Sequence, residues 1–200
     1  MDKRLYVILF AGVLIAGVCV WKVTRTYPPQ PRAEDLIFKQ PAPQIPPLYN
    51  QESKMVRFDA YLSRHDIFVV FYDGTDGVQN SDIMQFLKQR EEQLDRQGAK
   101  VFGISGALPQ QNIGTTEVIE QDGKRINKRN TFPFPLLTDL GFAVHQNWGR
   151  YDPDSNQPLP GLFFVDRAGN VDFKNRKPLP IEHPREFIRD YLGETRDNQS

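Results

Sequence analysis

Apolar residues in this chain fall into one long unbroken run, several short ones, and two stretches spaced at helical intervals. The short run Ile67 to Tyr72 is β-branched and aromatic throughout, which fits a fully buried central strand. Phe58 to Leu62 forms a short element before it. The loop Asp73-Gly-Thr-Asp-Gly77 follows, its glycines suited to a strand-to-helix turn. Asn80 or Ser81 can then cap a helix that carries Ile83, Phe86, Leu87 and Leu94 on one face and stops at Gln97-Gly98. Ala99 to Ser105 reads as a second buried strand, so strand, helix and strand form a right-handed crossover with a parallel pair. Residues 116–127 carry Asp122-Gly123, a hairpin signal, and predict an inserted β-hairpin, with a short helix as the alternative. Phe132 to Asp139 is extended and leads into a short helix over 141–148, then a polar loop. Gly161 to Asp166 predicts a third strand, 167–170 a turn, and Val171 to Phe173 a fourth strand antiparallel to the third. Phe187, Ile188 and Leu192 mark a last helix over Pro184–Leu192.

The long run is Leu5 to Trp21, LYVILFAGVLIAGVCVW, flanked by Lys3-Arg4 and Lys22. It predicts a membrane-spanning helix over 5–23 behind a tail of residues 1–4, at the short end of roughly 17–25 residues. Tyr6 and Trp21 lie near its ends, where aromatic rings favour the interface. No small-x-small cleavage site follows, so an uncleaved single-pass anchor is expected rather than a signal peptide. Val18 before Cys19 argues against lipid attachment at that cysteine, and Gly12-x-x-x-Ala16 reads as ordinary small residues of a membrane helix. Lys3 and Arg4 before the span nearly balance Lys22 and Arg25 after it, so charge leaves the orientation open. Residues 24–56 are proline-rich and predict an extended tether. The globular domain is expected over 57–195, with a tail over 196–200.

Charge narrows the picture. The chain has 25 acidic and 25 basic residues, which removes any general pull toward nucleic acid. Lys124 to Arg129 is basic but lacks interleaved aromatics, as a solvated hairpin would. Cys19 is the only cysteine, so no intrachain disulfide, Cys-x-x-Cys pair or multi-cysteine zinc site can form. Asp73, Asp76 and Asp82 do not follow calcium-loop spacing and read as turn residues. None of His65, His145 and His183 has a partner at helical zinc spacing, and His145 reads as a packing residue. No metal or cofactor is expected.

Four phrases occur in order: Phe68-Val-Val-Phe-Tyr72, Val101-Phe-Gly-Ile-Ser105, Phe134-Pro-Leu-Leu-Thr-Asp139, and Gly161-Leu-Phe-Phe-Val-Asp-Arg-Ala-Gly-Asn-Val171. Together they resemble the peroxiredoxin (alkyl hydroperoxide reductase/thiol-specific antioxidant, or redoxin) branch of the thioredoxin superfamily, over about residues 60–192. With the element order, the resemblance implies an α/β thioredoxin-like fold: a central mixed sheet with helices on both faces. It also implies a peroxidatic cysteine in Thr-x-x-Cys after Phe71, where this chain has Gly77 and Asn80. Aligned instead to the thioredoxin Cys-x-x-Cys, the positions are Asp76 and Gln79. Neither alignment finds sulfur. The resemblance further places Pro160 where the thioredoxin fold has a cis-proline facing the site, and suggests Arg150 as counterpart of the arginine that supports the thiolate.

Peroxide reduction passes through a thiolate and a sulfenic acid, which these residues cannot supply. The expected protein is a membrane-anchored, peroxiredoxin-like binding or assembly module. Its vestigial loop is Asp73, Gly74, Thr75, Asp76, Gly77, Val78, Gln79 and Asn80, beside Pro160. A protein partner is expected and nucleic acid is not. The alternative is a component of a thiol-based antioxidant system acting with a cysteine-bearing partner. Membrane-tethered relatives suggest a bacterial inner membrane with the domain outside the cytoplasm.

Overall fold

Four strands make the central sheet, and the alternation of side chains along one of them divides the core in two. A computed structural model of the chain describes residues 36–75, 77–113, 116–121, 124–129 and 131–194. The expected anchor over 5–23 lies outside them. Among the described residues no helix is long and apolar enough to cross a membrane. In chain order the strands are β1 (Phe38–Pro41), β2 (Leu48–Tyr49), β3 (Met55–Val56), β4 (Asp66–Phe71), β5 (Ala99–Ser105), β6 (Thr116–Gln121) and β7 (Lys124–Arg129). They continue with β8 (Leu136–Thr138), β9 (Tyr151–Asp152), β10 (Gln157–Pro158), β11 (Gly161–Val165), β12 (Asn170–Lys174) and β13 (Lys177–Pro178). The helices are α1 (Asp82–Arg96), α2 (Ala143–Asn147) and α3 (Pro184–Leu192).

The central order is β11-β4-β5-β8, with β4, β5 and β8 parallel and β11 antiparallel to β4. Phe68, Val70 and Tyr72 pack with Met84, Phe86, Leu87 and Ile188 of α1 and α3. Ile67, Val69 and Phe71 turn to the other face and meet Val144 and Trp148, from α2 and its end, with Phe163 of β11. Burial on both faces explains why β4 reads as a continuous apolar run. In α1, Met84 is fully buried and Ile83 only partly so, one position away from the sequence reading. Ser81 stands at the N-cap, but its side chain makes no capping bond. Residues 116–121 and 124–129 form the expected hairpin, in register from Thr116↔Arg129 to Gln121↔Lys124.

The proline-rich segment departs from the tether expected over 24–56. The compact unit begins at Ile37. β1 pairs with β12 from Phe38↔Phe173 to Pro41↔Asn170, and Ile45 is buried in the core. The Gln51 amide closes the outer side of β8: Leu136 N–H donates to its Oε1 at 2.8 Å, and its Nε2 donates to Phe134 O at 3.1 Å. Proline favours extended backbone, and extended backbone at a sheet edge pairs as readily as it spans solvent. Composition here reported stiffness, not solvation.

The fourth strand differs too. β12 does not ladder with β11 but lies between β1 and β13 in a separate sheet. Asp166 turns the chain away: its Oδ1 accepts from Ala168 N–H at 3.0 Å and Asn170 N–H at 2.9 Å, and its own N–H meets Asn170 O. Beyond that contact β12 joins the strand supplied by the proline-rich segment.

Candidate functional site

The loop after β4 is held against the sheet by close packing. Tyr72 N–H donates to Ile104 O at 3.1 Å, and the Tyr72 hydroxyl donates to Asn112 Oδ1 at 2.8 Å. Burial pushes that hydroxyl well above the usual phenol range. Gly74 comes so near β5's end that a Cβ there would sit 2.4 Å from Ala107 Cβ. Only glycine fits that approach. Asp73 Oδ1 accepts Thr75 N–H at 2.8 Å, and the Thr75 hydroxyl is the main cause that holds the carboxyl below its ordinary value. A 3₁₀ turn over Val78–Asn80 then drives Val78 into the core and carries Asn80 to the start of α1.

This placement opens a groove of about 480 Å³. Of the residues singled out in the sequence, the structure brings Asp73, Gly77, Asn80 and Pro160 onto its walls. Gly74 and Val78 are buried behind the loop, Thr75 is exposed and fixes Asp73 in its turn, and the Gln79 carbonyl accepts from Gln85 Nε2 at 3.1 Å. Asp76 lies outside the described residues. Pro160 is not cis, since the described residues contain no cis peptide bond. It shapes the wall in the trans form, where β11 begins. Arg150, remote in sequence, also reaches the groove. The segment Pro180, Ile181 and Pro184, which sequence reasoning did not single out, completes it. Its weak signal was a pair of prolines ahead of the last helix. Ile181 N–H docks it by donating to Leu162 O at 2.8 Å.

Arg150 is positioned from both sides. Its N–H donates to His145 O at 2.6 Å, and Leu159 N–H donates to its carbonyl at 2.8 Å. Its Nε donates to Gly149 O at 2.9 Å and its Nη1 to Pro160 O at 3.3 Å. The side chain lies over Gly161, where a Cβ would meet Arg150 Cδ at 3.1 Å. Burial lowers the guanidinium from its usual value, and no acidic side chain among the described residues pairs with it.

Behind this arginine stands a buried pair. His145 is fully buried, and its Nδ1 lies 2.7 Å from Asp139 Oδ2. The same oxygen accepts the N–H groups of Val144 and His145, each at 3.0 Å, so Asp139 caps α2. The ring meets Phe71 edge-on at 4.9 Å and Phe142 at 5.3 Å. His145 is thus a packing residue with a carboxylate partner, and the spacing Asp139 to His145 across one capped turn was its only signal.

Chemically, the groove offers an amide at Asn80, a guanidinium, a carboxylate held by its own turn, and apolar walls. The one sulfhydryl of the chain, Cys19, lies outside the described residues. Solved structures that share the fold include three peroxiredoxin-type proteins. A 2-Cys peroxiredoxin of Plasmodium vivax gives a TM-score of 0.51 at 14% identity, covering 80% of this chain and 94% of that one. The bacterioferritin comigratory protein of Xanthomonas campestris gives 0.52 at 14% identity, over 77% and 98% of the two chains. Peroxiredoxin Q of the same organism gives 0.50 at 15% identity, over 74% and 89%. No curated protein matches the chain. The profile of the AhpC/TSA family matches residues 38–174, well over half of the sequence. On that match, and with its thioredoxin-like sheet and helices in place, the chain belongs to the AhpC/TSA family.

Proposed function

We propose that this protein is a peroxiredoxin-like binding module without peroxidase chemistry of its own, tethered to a membrane by residues 5–23 with its folded body outside the bacterial cytoplasm. The groove between the loop Asp73–Asn80 and Pro160 receives an extended segment of a protein partner. One observation carries the reading: at the position aligned with the peroxidatic cysteine, an open groove persists with Asn80 on its wall. An amide has no electron pair that a peroxide can oxidise and a reductant restore. A formed groove without a nucleophile supports binding over turnover.

The test is hydrogen peroxide consumption by the full chain, with thioredoxin and with dithiothreitol as reductant, beside a cysteine-bearing member of the family. The expected rate equals the protein-free rate. Turnover above it would overturn the reading and require a mechanism independent of a thiol in the groove. A second reading, as the silent component of a thiol-based system, is favoured by the guanidinium that lines the same groove. It would appear as faster turnover of a cysteine-bearing partner when this chain is added.

A further inference from the structure

Two charged side chains line the groove, Asp73 and Arg150, and no ion pair among the described residues joins them. Among the charged groups nearby, Asp73 is engaged by Thr75 in its own turn. Arg185, at the start of α3, lies 3.4 Å from Asp82. Among the described residues Arg150 meets only carbonyl oxygens, Gly149 O and Pro160 O, with the Phe163 ring 5.9 Å from its Cζ. A guanidinium carries five N–H donors in a planar fork that matches a carboxylate. Two bonds to carbonyls leave donors for a ligand, and burial makes an added anion more favourable than it is on an open surface.

We propose that the groove recognises an extended polypeptide segment through an acidic side chain, whose carboxylate pairs with Arg150 while neighbouring apolar side chains lie on Ile83, Leu162 and Ile181. The proposal rests on the binding reading above and names the chemistry of the partner. At the Arg150 end of the groove, charge complementarity selects the acid. The walls select its source. A chain-terminal carboxylate is ordinarily captured by clustered backbone N–H groups. Three of the wall residues here, Pro160, Pro180 and Pro184, have none to give. At Arg150 the adjoining wall is Pro160, so the donor at that end is a side-chain fork, which suits a carboxylate carried on a flexible stem beside a passing chain. Backbone N–H groups lie at the start of α1, at Ser81 and Ile83. At about 480 Å³ the groove has the volume of a site for a short segment rather than a broad flat interface.

The test uses the full chain and three short probes, with binding followed by calorimetry. The probes are acetyl-Val-Leu-Glu-Val-Leu-amide, the same peptide with Gln for Glu, and the Gln peptide with a free terminal carboxylate. The acidic amide is expected to bind about tenfold or more tightly than the Gln amide, as a charge-assisted bond requires. Arg150→Gln should remove that difference, and Asn80→Trp, which fills the groove, should abolish binding. Equal binding of the Glu and Gln amides to the native chain would overturn the carboxylate assignment while leaving a peptide groove. Tighter binding of the free-acid peptide than of the Glu amide would overturn the side-chain source. Binding of no peptide, or binding indifferent to Asn80→Trp, would overturn the groove reading itself. The comparison on the native chain decides the matter even if Arg150→Gln fails to fold.

Discussion

Asp139 is a polar side chain whose removal the structure makes costly. It is 4% exposed, and one of its oxygens takes three donors: Val144 N–H, His145 N–H and His145 Nδ1. Asp139→Ala leaves two helix N–H groups and an imidazole buried without that acceptor. Each unsatisfied group costs about 1–3 kcal/mol, partly recovered by water entering the gap. Breaking a buried pair by removing one member costs about 3–5 kcal/mol, and that is the expected loss. Asp139→Asn keeps an acceptor for the N–H groups and should lose about 1–2 kcal/mol. Urea unfolding of the full chain, followed by circular dichroism, measures both. With a slope of about 2 kcal/mol/M, Asp139→Ala should lower the midpoint by about 2 M. Because Arg150 N–H is bonded to His145 O at 2.6 Å, the same variant should loosen the groove's cation and weaken any acidic ligand. A loss below about 1 kcal/mol would refute the assignment of α2's stability to this cap.

Four further outcomes follow from other contacts. Burial raises the Asp166 carboxyl, but the Lys39 ammonium at 2.8 Å and the Asn170 N–H outweigh it and leave the group below its ordinary value. Its contribution is therefore full above about pH 4 and lost as pH falls through the folded value, so native and Asp166→Asn chains should converge in urea midpoint toward pH 3. Gly74→Ala would set its methyl 2.4 Å from Ala107 Cβ, and should cost about 1–3 kcal/mol; an unchanged midpoint would contradict the loop's close approach. Asn80→Cys in a Cys19→Ser chain should give a thiol whose alkylation by iodoacetamide has its midpoint below about pH 8.5, because Arg150 favours the thiolate; a midpoint at or above that value would remove Asn80 from the arginine's reach. Arg150→Met, which keeps the stem over Gly161, should leave stability within about 1 kcal/mol of native while acidic-peptide binding is lost; a larger destabilisation would make the arginine a structural residue.

The core strands were legible because burial on both faces leaves only one kind of residue to choose from. Ile67–Tyr72 and Ala99–Ser105 contain little else but apolar side chains, and they are β4 with the residue after it, and β5. The loop was legible through its glycines, and the absence of sulfur needed no structure. What the sequence did not disclose are pairings between distant backbones. β12 could be assigned as a strand, but its neighbour is Phe38–Pro41, more than a hundred residues earlier, in a segment whose prolines suggested a spacer. The same holds for the far wall of the groove. Pro180, Ile181 and Pro184 carry no chemical signature, and they become part of a site only because Ile181 docks on Leu162.

Arg150 shows how the loss of a nucleophile changes the meaning of what surrounds it. Beside a thiolate, a half-buried guanidinium has its counter-ion in the protein. Beside Asn80 no acidic side chain among the described residues pairs with it, and its partners there are two carbonyl oxygens and an aromatic face. Desolvation without a direct ion pair disfavours the folded state, so the geometry that holds Arg150 must be stabilised elsewhere. Asp139, His145, and the bonds on either side of residue 150 are where that stabilisation resides. The fold thus spends buried hydrogen bonds to present a guanidinium that has no ion-pair partner among the described residues, in a groove that also carries the Asp73 carboxylate. That arrangement is less favourable for the empty protein than for one in which an anion pairs with Arg150, which is what the proposed binding role requires of it.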